Sequence, residues 1–255
     1  AGFVCGAEPA APYVRLGRCA AAPRIDGRIT PDEWDNAAGV SGLVLAGTQD
    51  LVAVQPVFRL AFDDQALYVA VTVPTPGAKP VQAQRRSRDS QFYLDDSVEI
   101  LLDPGQSRRD FVHLIVNSAG ALYDARGTDA TWNASTAQAA GSAEAGQWHA
   151  EVMLPFADLG VTAPADGSSW GANLCLNCAW DTALLGSWAP VQIGYREPAR
   201  FGRIEFDRRG PAAAWQGAAD LFVAQGALAV TTTGTLPSRC ELRLWPAADG
   251  TAEPI

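Results

Sequence analysis

Apolar residues recur at every second position through much of the chain, in short runs bounded by turn formers. Val57-Phe-Arg-Leu-Ala-Phe62 and Leu67-Tyr-Val-Ala-Val-Thr-Val73 flank Asp63-Asp-Gln-Ala66. A period of two places successive side chains on opposite faces of a strand, so this segment predicts a hairpin with an acidic turn. Ser97-Val-Glu-Ile-Leu-Leu102 and Phe111-Val-His-Leu-Ile-Val-Asn117 predict a second strand pair, joined by the turn-rich 103–110. Further strands are expected around Gln147–Leu154, Gly171–Ala179 and Phe201–Phe206. Many short strands with such connections point to two packed antiparallel sheets.

Helical signal is confined to short pieces. Thr30-Pro-Asp-Glu-Trp34 carries a Thr N-cap, Pro at the first helical position and acids in the first turn. Phe156-Ala-Asp-Leu-Gly160 predicts one further turn closed by Gly. The fold class is therefore all-β, a two-sheet antiparallel β-sandwich of immunoglobulin-like or jelly-roll type with only short helical turns. Residues 10–210 are expected to form it. After Phe206 the composition shifts, and Ala227–Thr233 and Arg239–Trp245 look like a hairpin pair. Residues 211–255 are read either as strands packed on the sandwich or as the start of a following β domain.

Charge narrows the partners. The 255 residues carry a net charge of −9, and Lys79 is the single lysine among 19 basic residues. A nucleic-acid footprint needs a basic face, so nucleic acid is excluded as a partner. No stretch reaches the ~18–20 apolar residues that span a bilayer. The N-terminus lacks a basic region followed by an apolar one, so a signal peptide was either removed or never present. Five cysteines (5, 19, 175, 178 and 240) leave at least one unpaired in intramolecular bridges. Cys175 and Cys178 lie in an expected strand, where positions three apart span ~10 Å and face opposite ways, too far for a disulfide. They are read as buried apolar thiols, and Cys5 with Cys19 as a candidate tie for the N-terminal arm.

Five blocks, in order, carry a resemblance. They are Pro23-Arg-Ile-Asp-Gly-Arg-Ile-Thr-Pro-Asp-Glu-Trp34, Phe62-Asp-Asp-Gln-Ala-Leu-Tyr68, Asp95-Asp-Ser-Val-Glu99-Ile-Leu-Leu-Asp103, Gly146-Gln-Trp-His-Ala-Glu151-Val-Met-Leu-Pro155 and Phe201-Gly-Arg-Ile-Glu-Phe206. Together they resemble the family 9 carbohydrate-binding modules, relatives of the DOMON-type sandwiches, over residues ~20–206. The resemblance implies a non-catalytic domain that holds a glycan end or short oligosaccharide between aromatic side chains. It implies a secreted, periplasmic or cell-surface protein that works alongside polysaccharide-degrading enzymes. The first aromatic is then Tyr93 (or Phe92), the second Trp188 or Trp180, with Glu99 as the acidic strand residue and Asn177 as a strand amide. Family members often carry structural calcium, for which the acidic turns at Asp63, Asp64, Asp95, Asp96 and Asp103 offer oxygens.

The residues themselves fit sugar chemistry, which needs an aromatic platform for the apolar ring face and convergent polar groups for the hydroxyls. Val98, Ile100 and Leu102 share a core face, which sends Glu99 to the other, toward solvent or a cleft. Trp34 and Trp148 are read as packing. Trp132 and Trp188 lie among turn residues and are candidate exposed platforms, with Arg88 and Arg126 as nearby donors.

Three rivals remain. A glycoside hydrolase needs two carboxyl groups ~5–5.5 or ~6.5–9.5 Å apart. Glu99 and Asp103 are roughly 13 Å apart along one strand, although a pair from different strands stays open. A haem domain would need axial ligands such as Met153 and His149. The strongest rival is a structural or surface interaction sandwich without sugar binding. His113, on the strand face of Phe111 and Ile115, is read as a satisfied core or seam histidine. Oligomeric state is left open.

Overall fold

The computed structural model describes residues 11–34, 36–75, 80–209, 213–217 and 228–232. Two sheets face each other across one apolar core. The larger sheet contains β1 (Tyr13–Gly17), β3 (Val44–Leu45), β6 (Ser97–Asp103), β7 (Val112–Asn117), β8 (Leu122–Arg126), β11 (Ser169–Cys178), β12 (Asp181–Ser187) and β13 (Gly202–Asp207). Its main path runs β1-β13-β11-β6-β7-β8. The smaller sheet runs β2-β4-β5-β10-β9, from β2 (Ala38–Val40), β4 (Val57–Phe62), β5 (Ala66–Pro74), β9 (Gln138–Glu144) and β10 (Gln147–Pro155). The expected sandwich is observed, and among the described strands β1 and β13 depart from antiparallel pairing by running parallel.

Alternation builds the core. From β6, Val98, Ile100 and Leu102 meet Phe58, Leu60 and Val69 of the opposite sheet, and all of these are buried. The β4–β5 hairpin is closed by Asp63, whose carboxylate accepts from the backbone N–H groups of Gln65 and Ala66. Helix α1 (Pro31–Trp34) begins at Thr30, whose hydroxyl donates to Glu33. Helix α2 (Phe156–Leu159) ends at Gly160 with φ 71°, a left-handed cap that suits glycine.

Each sheet also has a partly covered outer face. On the smaller sheet, segment 19–37 buries Cys19, Trp34 and Ala37 against Ala61, Tyr68 and Ala70. The buried Glu151 of β10 fastens it, accepting from the N–H groups of Asp26 (3.0 Å) and Gly27 (2.7 Å) and from Trp34 Nε1 (3.0 Å). The first and fourth sequence blocks thus meet at one carboxylate. At the far edge, a Cβ on Gly141 of β9 would lie 2.5 Å from the backbone nitrogen of Gly120, so the β7–β8 turn can close on β9 only because both residues lack side chains.

On the larger sheet, topology dictates the cover. β11 is long enough to pair with two strands along one edge, β13 at Ser169–Ala172 and β12 at Cys175–Cys178. The connection from β12 to β13 therefore travels beside β11, and residues 188–201 arch over the outer face. Ala189, Val191, Tyr195 and Phe201 pack there on Leu101, Phe111 and Cys175.

Cys175 and Cys178 do face opposite ways: one lies in this outer cluster, the other in the main core. Burial pushes the Cys175 thiol well above its ordinary pKa, which keeps it protonated. Cys19 is a buried free thiol, likewise raised by burial to about 11, while Cys5 and Cys240 lie outside the described residues. Strand β15 (Leu228–Thr232) pairs with β14 (Ala213–Gly217), and residues 239–245, its expected hairpin partner, lie outside the described residues.

Candidate functional site

Where the 188–201 loop stops covering the larger sheet, a cleft of about 680 Å³ opens. Its floor comes from three adjacent strands. Glu99 on β6 stands opposite Cys175 on β11 and Ile115 on β7, with Asn177 and His113 on the diagonals. Alternation along β6 puts Glu99 here because its neighbours Val98 and Ile100 are taken by the core.

The carboxylate is only 5% exposed, and its position is over-determined. His113 Nε2 donates to Oε2 at 2.6 Å, and Asn177 Nδ2 donates to Oε1 at 2.8 Å. A carboxylate oxygen has two acceptor sites, so each still has room for a donor from the cleft. His113 is fully buried but lies beneath this outer-face cleft rather than in the main core, and its Nδ1 has no hydrogen-bond partner. The reading of it as a satisfied core or seam histidine is corrected at one atom: Nε2 is paired with Glu99, but Nδ1 has no partner.

One wall is the short helical turn Phe92–Leu94. Phe92 is buried and anchors the turn, which projects Tyr93 outward at 49% exposure. The loop 192–197 forms another wall, with Ile193 at its tip, 91% exposed, and Arg196 beside it. Tyr195 fixes this loop from below by donating its hydroxyl to the carbonyl of Leu176 at 2.7 Å. Glu197 fixes it from within: one oxygen accepts from the N–H groups of Gln192 (3.0 Å), Ile193 and Gly194 (3.0 Å).

Burial alone would raise the Glu197 pKa. The three N–H groups and the nearby Arg200 guanidinium outweigh burial and hold it below the ordinary glutamate value. A carboxylate with a depressed folded pKa contributes order above its unfolded pKa and loses that contribution as pH falls through the folded one. The amide signals of Ile193 and Gly194 are therefore expected to titrate in NMR spectra with a midpoint below that of an ordinary glutamate. Glu197→Gln is expected to abolish the step; an unchanged titration in that variant would disconnect Glu197 from the loop.

Of the residues expected from sequence, Tyr93, Glu99 and Asn177 meet at this cleft. The others do not. Trp188 is 8% exposed and belongs to the main core. Its N–H continues the ladder to Leu174, so after Ser187 on the outer face its ring falls on the inner one, over Gly202. Trp180 and Trp132 are half-buried against the same core. Arg88 pairs with the buried Asp124 at 2.6 Å, and Arg126 reaches Asp110 and the carbonyl of Leu159. Sequence reasoning missed Ile193, Tyr195, Arg196 and Glu197, whose loop has neither period nor motif.

The five acidic-turn residues do not fit a calcium cage. Asp63 accepts from Tyr68 and two backbone N–H groups, and Asp64 from Arg18 and Arg208. Asp95 meets Arg85 and Asn117, Asp96 the N–H groups of Gln82 and Ala179, and Asp103 those of Ser107 and Arg108. Each carboxylate is thus tied to donors of its own neighbourhood rather than to a shared centre. Among the described residues, no group of three or more His, Cys, Asp or Glu side chains is placed to hold a metal ion. As for haem, His149 and Met153 share one face of β10, and both ring nitrogens of His149 are already engaged, Nδ1 with Thr72 and Nε2 with Glu144.

The family model described as carbohydrate family 9 binding domain-like matches residues 25–208. The chain belongs to this family. It is a family of binding domains rather than of enzymes. The structure of a family 9 module from Caldicellulosiruptor kristjanssonii in complex with cellotriose is similar, at 21% identity and a TM-score of 0.59, over 78% of this chain and 95% of that one. The same source's module in complex with glucose gives 21% identity and 0.58, over 77% and 97%. A Bacteroides uniformis protein proposed to bind carbohydrate gives 17% and 0.63, over 77% and 100%. At these identities the structural likenesses concern the fold. No curated protein matches the chain. Among the described residues, no helix is long and apolar enough to cross a membrane.

Proposed function

We propose that this family 9 domain binds carbohydrate in the cleft above Glu99, holding a glycan end or short oligosaccharide without cleaving it. The observation that carries the reading is the convergence, at one concavity, of an exposed Tyr93 with the buried pair Glu99 and Asn177. A sugar ring lays its C–H face on the tyrosine while its hydroxyls donate to the remaining lone pairs of Glu99. Arg196 offers further donors at the rim. The cleft volume falls within the ~300–1,000 Å³ usual for small-molecule sites. Ile193 takes the place of a second aromatic, so the grip is a tyrosine facing an aliphatic tip rather than a pair of aromatic planes.

Binding is favoured over hydrolysis by the state of the carboxylates. Of the two that line the cleft, Glu197 is held by three backbone N–H groups and serves the loop. Such a domain suits a secreted or surface-displayed protein that takes part in polysaccharide breakdown. Because the C. kristjanssonii module is seen with cellotriose and glucose, β-linked glucans lead the screen. Calorimetric titration against a panel of neutral oligosaccharides is expected to find at least one ligand. Tyr93→Ala is expected to weaken it by about tenfold, the loss of one aromatic platform, with the melting temperature unchanged because the side chain is exposed. A panel with no binder would favour a structural interaction sandwich.

A further inference from the structure

The 188–201 loop divides the outer face into two pockets. Past Leu101, which the loop covers, a second pocket of about 510 Å³ opens at the Asp103 end of β6. Its walls include Tyr13, Gln106, Arg108, Trp170, Arg200 and Arg203. The chain as a whole carries −9, yet three guanidinium groups line this pocket against one carboxylate. That carboxylate, Asp103, is turned into its own loop, accepting from the N–H groups of Ser107 and Arg108.

The arginines differ in how they are held. Arg203 lies over the Tyr13 ring, 4.8 Å from its centroid, and is 3.9 Å from Glu205. Arg200 pairs with Glu197 at 3.3 Å. Arg108 is exposed and has no ion-pair partner among the described residues. Tyr13 is 45% exposed, an aromatic surface held at the pocket edge by parallel pairing of β1 with β13. The pocket thus combines guanidinium groups, which match a carboxylate through paired N–H donors, with an aromatic surface that suits a sugar ring.

We propose that this pocket is a second binding site, for an anionic sugar whose carboxylate is taken by Arg108 and Arg203 and whose ring rests on Tyr13. A uronic acid unit is the chemical class. The volume lies in the ~300–1,000 Å³ range of small-molecule sites and exceeds the need of an inorganic oxyanion. The proposal does not depend on the reading of the Glu99 cleft, because the two pockets share no lining residue.

The test is calorimetric titration of the full chain with trigalacturonate, with cellotriose and inorganic sulfate as comparison ligands. Trigalacturonate is expected to bind the unaltered protein and to weaken with added salt, as pairing between exposed charges does. The double variant Arg108→Ala, Arg203→Ala is expected to lose tenfold or more in affinity with its thermal midpoint unchanged. Tyr93→Ala is expected to leave this binding intact. Absence of trigalacturonate binding would overturn the proposal. So would equal binding of cellotriose or sulfate at this pocket, or a loss that follows Tyr93→Ala instead of the arginine pair.

Discussion

Replacing Glu151 by alanine is expected to lower the stability of the domain by about 3–5 kcal/mol, the sum expected when two buried donors and one part-buried donor lose their acceptor. The carboxylate is fully buried and accepts three hydrogen bonds, from the N–H groups of Asp26 and Gly27 and from Trp34 Nε1. Alanine leaves the Gly27 N–H and Trp34 Nε1 unpaired in a buried site and takes the acceptor from the part-buried Asp26 N–H, and a buried unsatisfied polar group costs ~1–3 kcal/mol. It also releases the cover over the outer face of the smaller sheet, where Trp34 and Cys19 are buried. Native domains are stable by ~5–15 kcal/mol in total, so the loss is a large share. In a domain of this size it corresponds to a melting temperature lower by on the order of 10 °C. Glu151→Gln is expected to fall between. Burial pushes the Glu151 pKa up despite its hydrogen bonds, so a neutral amide escapes part of that cost. It has only one acceptor oxygen, however, for donors that converge from two sides. Scanning calorimetry of both variants checks the order; a drop below ~1 kcal/mol for Glu151→Ala would remove the carboxylate from its role as fastener. Binding at the Glu99 cleft, on the other sheet, is expected to survive below the lowered melting temperature.

Glu151 also shows what sequence patterning conveys. Its block was visible, as was the Ile-Asp-Gly…Trp block, but nothing in either says that one carboxylate joins them across 117–125 positions. Strands β4, β5, β6 and β10 were legible nearly residue for residue, because each alternates between a core face and another face. Strand β9 was not. It reads Gln-Ala-Ala-Gly-Ser-Ala-Glu, an edge strand whose central Gly141 is kept small by the approach of Gly120. Strand β1 escaped for a different reason: its parallel partner β13 lies about 190 positions away, with no turn between them to signal the pair.

The site was legible to the same extent as the strands beneath it. Glu99 followed from the alternation of β6, whereas Asn177 came only with the family resemblance. The aromatics did not follow from turn composition. Trp188 sits between Gly186 and Pro190, which reads as loop, yet Gly186 is a strand residue paired with Leu176, and the ladder carries Trp188 inward. The wall at 192–197 has its shape from one carboxylate folding the backbone around itself and from tertiary cover on Leu101 and Cys175. Neither leaves a periodic trace. Tyr93 was found by its place before β6, and its exposure depends on Phe92 being the residue of the pair that is buried.

The second large effect concerns Glu99, whose replacement by glutamine is expected to weaken glycan binding by roughly 10- to 100-fold, the ~1.5–3 kcal/mol of a hydrogen bond to a charged group. The substitution keeps the shape but not the donor–acceptor pattern. Both groups that hold the carboxylate, His113 Nε2 and Asn177 Nδ2, face it at 2.6 and 2.8 Å as donors. The glutamine NH2 can pair with His113 only once the ring proton moves to Nδ1, and it leaves a single oxygen, already accepting from Asn177, to meet the sugar where the carboxylate offered two. Glu99→Ala is expected to reach a similar or larger binding loss and to destabilise the fold as well, since His113, already without a partner at Nδ1, would then be buried with neither nitrogen satisfied. His113→Phe separates position from contact. It removes the donor behind Glu99 while leaving the carboxylate in the cleft, so binding is expected to fall by less than in Glu99→Gln, and a further Glu99→Gln substitution in that background is expected to cost less than it does alone, as residues in one network couple. Titration of the two single variants and the double variant with the ligand found in the neutral panel measures this. If Glu99→Gln binds as tightly as the unaltered chain, the carboxylate is a scaffold for its two neighbours and the sugar contacts lie with Tyr93 and the 192–197 wall alone.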